Sequence, residues 1–493
     1  MVDMIQTLSQ DGPIKVTNSA PKTCTTFGLD LPLTLGSEQA AGVRARLEQV
    51  LRDEIRSGRL ACGSRLPPTR SLAADLGLSR GTVVRAYSQL AAEGWITTRR
   101  GSGTVVSFDA KRSSAANPRS EPPPRRWRFD LRPGRPDPGS FPRTEWLRAM
   151  RRALSTMPDE AFGYGAANGQ LMLRKELAAY LGRARGLRLA AADIVITSGF
   201  TQSLSLIAAT LGSDGPQRFA MEDPGMLLHR KIVGAAGHRI VPLPVDERGA
   251  RIEQLETQAA VDVVVLTPNR QHPLGSVLSA SRRSRLLKWA QSSGAYIIED
   301  DYDGEFRYDR RPLTPLQALD PQAVIYAGTV SKTLAPGMRL GWLVLPMRLR
   351  EQVTAQRALT DWHNSTPDQY AFAEFLRTGA YDRHIRQMRI RYQRRRDLLV
   401  KTLLNADPEV EISGVASGLS LLIRLPDLAA ETRALQAAER AGIGIGGLLS
   451  AGSCQEQQLA GLIIGYAAAP EHAYEAAVRA LADLLISLKA KAT

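Results

Sequence analysis

The stretch GTVSKTLAPGMRLGW, Gly328 to Trp342, sets a single lysine, Lys332, close after Thr329 and Ser331 and follows it seven positions later with Arg339. Its flanks are apolar, so the segment reads as a strand that ends, a polar loop and a further strand. Spacing alone leaves two readings open. One is a surface turn with two solvated cations. The other is a buried lysine whose amine is put to use, with hydroxyls and a guanidinium gathered around an anion.

The neighbouring segments supply what the second reading requires. IIEDDYDGEFRYD, Ile297 to Asp309, ends an apolar strand with acids at its C-terminal edge, the edge at which open α/β sheets bind ligands. TSGFTQSLSLIAATL, Thr197 to Leu211, is a strand end, a small-residue turn and a helix. The amides of Gly199, Phe200 and Thr201 at that helix start suit a phosphate, and Ser331 and Arg339 would close the cup. Taken singly these features are common: a Ser-Gly turn is usually only a cap, and acids at strand ends are usually solvated. Together they provide what a lysine joined to an aldehyde cofactor needs, namely a carboxylate for a protonated pyridine nitrogen, a phenol near the ring hydroxyl and an anion site.

Length and composition set the frame. A chain of 493 residues, 43% hydrophobic, is too long for one ordinary domain and rich enough for sizeable cores. A formal net charge of +15 points to a polyanionic partner, nucleic acid first. Cys24, Cys62 and Cys454 are scattered, and the 6 histidines form no metal-ligand spacing with them. That fits a reducing cytoplasm and predicts no metal site. No apolar run approaches the roughly 20 residues of a membrane span. The expected organisation is a flexible arm over residues 1–35, a compact unit over 36–108, a linker over 109–128 and a large unit over 129–493. The linker, DAKRSSAANPRSEPPPRRWR, is too rich in Pro, Ser and Arg to form a core. In the large unit, helical patterns alternate with short apolar strands such as DIVITSG, VDVVVLTP and AYIIEDD, the order of an α/β fold with a parallel sheet covered by helices.

The basic first unit reads as helix, helix, turn, helix and hairpin. RARLEQVLRDEIRSG carries a helix-spaced stripe of Leu47, Val50, Leu51 and Ile55. A short helix follows over Thr69 to Gly77, and Ser79 is the expected N-cap of RGTVVRAYSQLAAEG. WITTRRGSGTVVS then makes two strands joined through Arg99, Arg100, Gly101, Ser102 and Gly103. This is a winged helix-turn-helix by pattern, with Arg65, Arg70 and Arg80 expected at helix starts and the wing arginines at the hairpin tip. Singly, each arginine is surface decoration. Their convergence on one set of tips points to a duplex.

GSRLPPTRSLAADLGLSRGTVVRAYSQLAAEGWITTRRGSGTVV resembles the DNA-binding domain of the GntR family of bacterial regulators. That likeness implies DNA contacts from Arg65, Arg70, Arg80 and Thr82, with Gly103 in the wing. From about Leu131 to Leu485 the chain resembles fold-type I aminotransferases, which bind pyridoxal 5'-phosphate (PLP). On that likeness Lys332 is the Schiff-base lysine, Asp300 pairs with the pyridine nitrogen, and Tyr302 reaches the ring hydroxyl. Phe200, Thr201, Ser331 and Arg339 hold phosphate, and Tyr164 reaches the site of a partner subunit in a homodimer. LRPGRPDPGSFPRTEWLRAMRRAL, EDDYDGEFRYD, GTVSKTLAPGMRLGWLV and HIRQMRIRYQRRRDLL together resemble the MocR/GabR regulators, a winged helix-turn-helix fused to an aminotransferase-like domain. The likeness implies a double-stranded DNA operator, a small amine effector sensed as an external aldimine, and control of a catabolic or biosynthetic operon, rhizopine catabolism among the pathways the subfamily serves.

The departures shape the functional reading. Met226 stands where the subfamily has an aromatic that stacks on the cofactor ring. Asn269 and Arg270 replace a small-polar and histidine pair, and His272 stands where an aromatic is common, as a cofactor neighbour or a surface histidine. AGSCQEQQLAGLIIGYA, Ala451 to Ala467, contains no arginine, where aminotransferases clamp a substrate carboxylate. The absence favours a sensor without turnover, its effector lacking that carboxylate or having it held elsewhere, with Arg424 as candidate. The rivals are a working aminotransferase with an accessory DNA module and a regulator whose large domain no longer binds PLP.

Overall fold

The structure, a computed structural model, describes residues 42–99, 103–108, 127–257, 260–309, 313–414, 416–449 and 459–490. The chain divides into two compact units, Met1–Pro124 and Arg125–Thr493. The expected arm and nearly all of the expected linker lie outside the described residues, as does Arg100. Among the described residues no helix is long and apolar enough to cross a membrane.

In the first unit, α1 (Val43–Arg56), α2 (Thr69–Leu76) and α3 (Arg80–Ala92) close around Leu47, Leu51, Ile55, Leu72, Val83, Tyr87 and Leu90, all buried. The helix-spaced stripe read in the sequence is thus the core face of α1. Gly77 stops α2 in the left-handed conformation at φ 66°, which costs glycine nothing. Ser79 caps α3, its hydroxyl accepting the Thr82 amide at 3.1 Å. The wing consists of β2 (Ile96–Arg99) and β3 (Gly103–Val106), and Gly103 turns at φ 83°. A third strand, β1 (Arg65–Leu66), pairs with β3, so Arg65 lies on the wing sheet and not at a helix start as expected. Apolar periodicity cannot announce a strand of two residues.

The second unit begins with β4 (Phe129–Asp130) and is built on an eight-stranded sheet. Its strands are β5 (Ile194–Thr197), β6 (Arg218–Asp223), β7 (Arg239–Asp246), β8 (Gly249–Ala250), β9 (Val263–Leu266), β10 (Tyr296–Asp301), β11 (Val324–Thr329) and β12 (Gly341–Val344). In space they run β5, β12, β11, β10, β9, β6, β7, β8. β11, β10, β9, β6 and β7 are parallel neighbours, and β12 runs antiparallel between β5 and β11. β5, β9, β11 and β12 are buried along their whole length, which is why they read as continuous apolar runs without alternation.

The C-terminal region departs from the expected parallel order. β13 (Ile412–Ser413), β14 (Ser420–Leu425), β16 (Gly446–Gly447) and β17 (Ala460–Gly465) form a separate antiparallel sheet. β15 (Ile443–Gly444) pairs with β4. The helices Ala380–Ala406 and Glu471–Ala490 pack with this sheet around Leu399, Leu421, Ile423, Leu462, Ile464 and Leu481.

Candidate functional site

β10 and β11 deliver the chemistry to one sheet edge. They run parallel with Asp300 opposite Ala327 and Asp301 opposite Gly328, so the acids ending β10 sit beside the loop that leaves β11 and carries Lys332. Lys332 Nζ donates to the carbonyl of Gly134 at 2.6 Å. Burial pushes its pKa below the ordinary lysine value and the nearby Arg135 lowers it further, while Asp303 and Asp300 oppose the shift. Asp300 is 6% exposed, and burial followed by the charges of Asp301 and Asp303 raises its carboxyl well above the usual range. Asp303, also buried, is pushed up to about 7 by burial.

An anion cup lies next to the lysine. Gly199 is the N-cap of the helix Phe200–Leu211, at φ 107° and ψ 179°. A Cβ on Gly199 would meet Thr329 Oγ1 at 3.6 Å, Arg339 Nη1 at 3.7 Å and Ser331 Oγ at 3.8 Å, so two hydroxyls and a guanidinium converge on the space a side chain would fill. The amides of Phe200 and Thr201 open the first turn of that helix, where intrahelical acceptors are lacking. Gly341 lets β12 ride against this turn, since a Cβ there would lie 2.8 Å from Gly199 Cα. Arg339 holds a left-handed backbone at φ 47°, its carbonyl fixed by Asn364 Nδ2 at 3.0 Å. Arg357 in turn donates to Asn364 Oδ1 at 2.7 Å.

On the acid side, Tyr302 is enclosed by Arg270. Arg270 Nη1 donates to the Tyr302 hydroxyl at 3.1 Å, and that hydroxyl donates to the Arg270 carbonyl at 3.2 Å. The Arg270 guanidinium is also bound by the carbonyls of Ser417, at 2.9 Å, and Ser420, at 2.5 Å. A side chain on Gly418 would collide with it. Asn269 is used beneath the site, donating to Asp301 at 3.0 Å and accepting from Arg283 at 2.8 Å. Asp301 is further paired with Arg185 at 2.9 Å, and this pair keeps its carboxyl below the ordinary value despite burial.

Two histidines stand near Lys332, and the sequence reading singled out only one of them. His272 is half-buried, and burial followed by the charges of Arg270 and Lys332 lowers its pKa to about 3, which makes it a neighbour of the lysine. His229 packs on Phe200 with ring centroids 4.7 Å apart, and burial followed by Lys332 lowers its pKa to about 4. His229 lies three residues beyond Met226, one turn into the helix Leu227–Ala235. Met226 itself is 42% exposed. The signal for His229 was therefore the i, i+3 spacing from the position expected to stack.

Tyr164 is 94% exposed and lies edge-on to Trp362 at 6.3 Å. Arg424 is not brought to Lys332. It lines a cavity of about 890 Å³ with Leu403, Val410, Leu425 and Leu485, and Lys332 is not among the residues lining that cavity. In the first unit Arg65, Arg70 and Arg80 are exposed, and the Thr82 hydroxyl is hydrogen-bonded to Ser79 at 2.8 Å.

The residues fit PLP on two counts. Asp300 Oδ1 is buried without a hydrogen-bond partner, a costly state that a pyridinium N–H would relieve. The cup at Gly199 presents a cation, hydroxyls and a helix N-terminus around the position a side chain on Gly199 would fill. Asp300, Tyr302, Lys332 and the cup are the donor set this cofactor's ring, hydroxyl, aldehyde and phosphate require.

Residues 134–450 match the family described as aminotransferase class I and II, and residues 43–106 match the bacterial regulatory proteins of the gntR family. The pyridoxine biosynthesis transcriptional regulator PdxR of Corynebacterium glutamicum is 34% identical over 400 residues, covering 80% of this chain and 86% of that protein. The probable rhizopine catabolism regulatory protein MocR of Rhizobium meliloti is 34% identical over 390 residues, 75% of this chain and 78% of that one. Among solved structures, an archaeal alanine:glyoxylate aminotransferase superposes with a TM-score of 0.66 at 27% identity, covering 72% of this chain and 90% of that chain. The kynurenine aminotransferase of Pyrococcus horikoshii, solved with PMP, does so at 0.66 and 26%, covering 74% and 91%. The winged helix, the aminotransferase fold and these relatives agree: the chain belongs to the MocR-type regulators of the GntR family, in which a helix-turn-helix unit is joined to a class I and II aminotransferase domain.

Proposed function

We propose that this protein is a cytoplasmic, homodimeric transcription regulator that holds PLP on Lys332 and reports a small amine as a change in DNA binding. The observation that carries the reading is the buried, unpartnered Asp300 Oδ1 on the same sheet edge as Lys332 and the anion cup. In this reading Asp300 accepts the ring N–H, Tyr302 stands at the ring hydroxyl, and Phe200, Thr201, Ser331 and Arg339 take the phosphate. Tyr164 reaches across the dimer. When bound, the cofactor supplies an aldehyde carbon that condenses with primary amines.

The chain's own residues prepare that exchange. Burial and the nearby Arg135 keep the Lys332 amine more readily deprotonated than a free lysine, and the Gly134 carbonyl receives its N–H. With the cofactor in place, Lys332 would be the group that holds it and that an effector amine would displace, which would free the Lys332 amine to exchange its contacts. Residues 36–108 bind the operator through Arg65, Arg70, Arg80, Arg99 and Arg100, with Ser79, Thr82 and Gly103 shaping the recognition helix and wing. Residues 109–128 join them to the effector unit over 129–493. Sensing needs only differential affinity of the amine for two arrangements of the protein, not turnover.

The test is a panel of amines added to PLP-loaded protein, read by absorbance and by affinity for DNA upstream of its own and neighbouring genes. An amine that moves both supports the reading. Amines that move the spectrum while leaving DNA affinity unchanged would remove the sensing function.

A further inference from the structure

Cations near Lys332 are almost all committed. The Arg270 guanidinium is bound by Ser417, Ser420 and Tyr302. Arg339 belongs to the anion cup, and Arg424 faces a different cavity. Arg132, on the segment that meets the lysine, is paired with Asp130 at 2.6 Å. Arg135 differs from all of these: it is exposed and forms no ion pair or side-chain hydrogen bond among the described residues, although its charge also acts on Asp130. Its neighbour Gly134 is the residue that receives Lys332 Nζ, in a left-handed turn at φ 70°.

The segment around Arg135 is fixed although its side chain is free. Leu131 donates to Gly444 and accepts from Gly465, both at 2.8 Å. A Cβ on Gly465 would collide with the Arg132 carbonyl, so residues 131–133 lie directly against β17. Beyond the turn, the Asp137 amide donates to Tyr392 at 3.1 Å, and its carboxylate meets Arg391 at 3.5 Å and Arg395 at 3.6 Å. The strand that carries no arginine is thus covered by a segment held by these contacts, and Arg135 is the residue directly after the glycine whose carbonyl receives Lys332 Nζ. The field of Arg135 reaches Lys332 and helps to depress its amine.

We infer that Arg135 is the subsite for an acid group on the effector, so that the regulator prefers amines bearing a carboxylate, which its free guanidinium pairs in two-pronged fashion beside the amine held at Lys332. The inference rests on the proposed sensing role of Lys332. Of the two expectations drawn from the missing arginine, an effector without the carboxylate or one held elsewhere, it takes the second, with Arg135 in place of Arg424.

The test uses the PLP-loaded full-length protein and three matched pairs: glycine and glycinamide, β-alanine and its amide, 4-aminobutyrate and its amide. Half-saturating concentrations are read from the absorbance change. The expected result is that in the wild type at least one acid binds on the order of tenfold more tightly than its amide. In Arg135→Gln that ratio collapses to within about threefold of unity, and Arg135→Lys, which keeps the charge but not the fork, falls between. Amines that change the spectrum with no acid preference in the wild type overturn the Arg135 subsite and leave the sensing reading standing, as does a preference that survives in Arg135→Gln. If no amine changes the spectrum, the sensing reading fails and the subsite falls with it.

Discussion

Replacing Gly199 by alanine fills the anion cup without altering any of its ligands. The new methyl group would stand 3.6 Å from Thr329 Oγ1, 3.7 Å from Arg339 Nη1 and 3.8 Å from Ser331 Oγ, in the space a phosphate oxygen needs to reach all three. Charge-assisted hydrogen bonds contribute about 1.5–3 kcal/mol each, and losing one or two gives about 1.5–6 kcal/mol, or at least roughly 10-fold in PLP affinity. The backbone at φ 107° and ψ 179° is a glycine-only region, so alanine there also costs about 1–3 kcal/mol of folding stability. A PLP titration followed by absorbance measures the first effect and thermal unfolding without PLP measures the second. Gly294→Ala is the control, because Gly294 has φ 73° with nothing within 4 Å of a Cβ and is far from the cup's ligands in the chain. It should lower the melting temperature and leave PLP affinity unchanged. The reasoning is refuted if Gly199→Ala binds PLP within about threefold of wild type, or if Gly294→Ala loses as much affinity.

Three further outcomes follow from the same geometry. Asp300→Asn removes a buried carboxyl whose raised pKa costs stability at neutral pH, so the cofactor-free protein should melt higher at pH 7 while PLP affinity falls; a lower melting temperature would contradict the pKa assignment. His229 has a folded pKa of about 4 against about 6.5 unfolded, so the unfolded chain binds the proton first as pH falls. Stability is then complete above pH 6.5 and declines toward pH 4 by an amount on the order of 3 kcal/mol, and His229→Asn should flatten that decline by about one proton in denaturant titrations of the cofactor-free protein. In the first unit, Arg80→Ala should weaken operator binding and reduce the slope of log affinity against log salt by about 0.9, one phosphate's worth; an unchanged slope and affinity would remove Arg80 from the interface.

How far the molecule was legible in its sequence depends on whether a feature is local. β9, β10 and β11 announced themselves because strands buried on both faces are runs of Val, Ile and Leu, and the acids ending β10 mark the sheet edge. Ser79 was legible because a cap is a contact across three residues. Features set by tertiary register were not. Arg424 lies four residues beyond Ser420, whose carbonyl holds Arg270, and at roughly 3.3 Å per residue that carries it about 13 Å down the strand and into another cavity. Arg135 gave no sign because its relation to Lys332 depends on Gly134 meeting a residue 198 positions away. His229 was obscured by attention to Met226, and β1 by its length of two residues.

The central claim, that Lys332 carries PLP, is tested most directly by reducing PLP-incubated protein with borohydride and locating the covalent pyridoxyl group by peptide mass, with the absorption spectrum recorded beforehand. The account predicts a long-wavelength band in the wild type that is lost or altered in Lys332→Ala, and a pyridoxyl mass on the peptide containing Lys332. A label spread over surface lysines, or a band and label unchanged in Lys332→Ala, would contradict it.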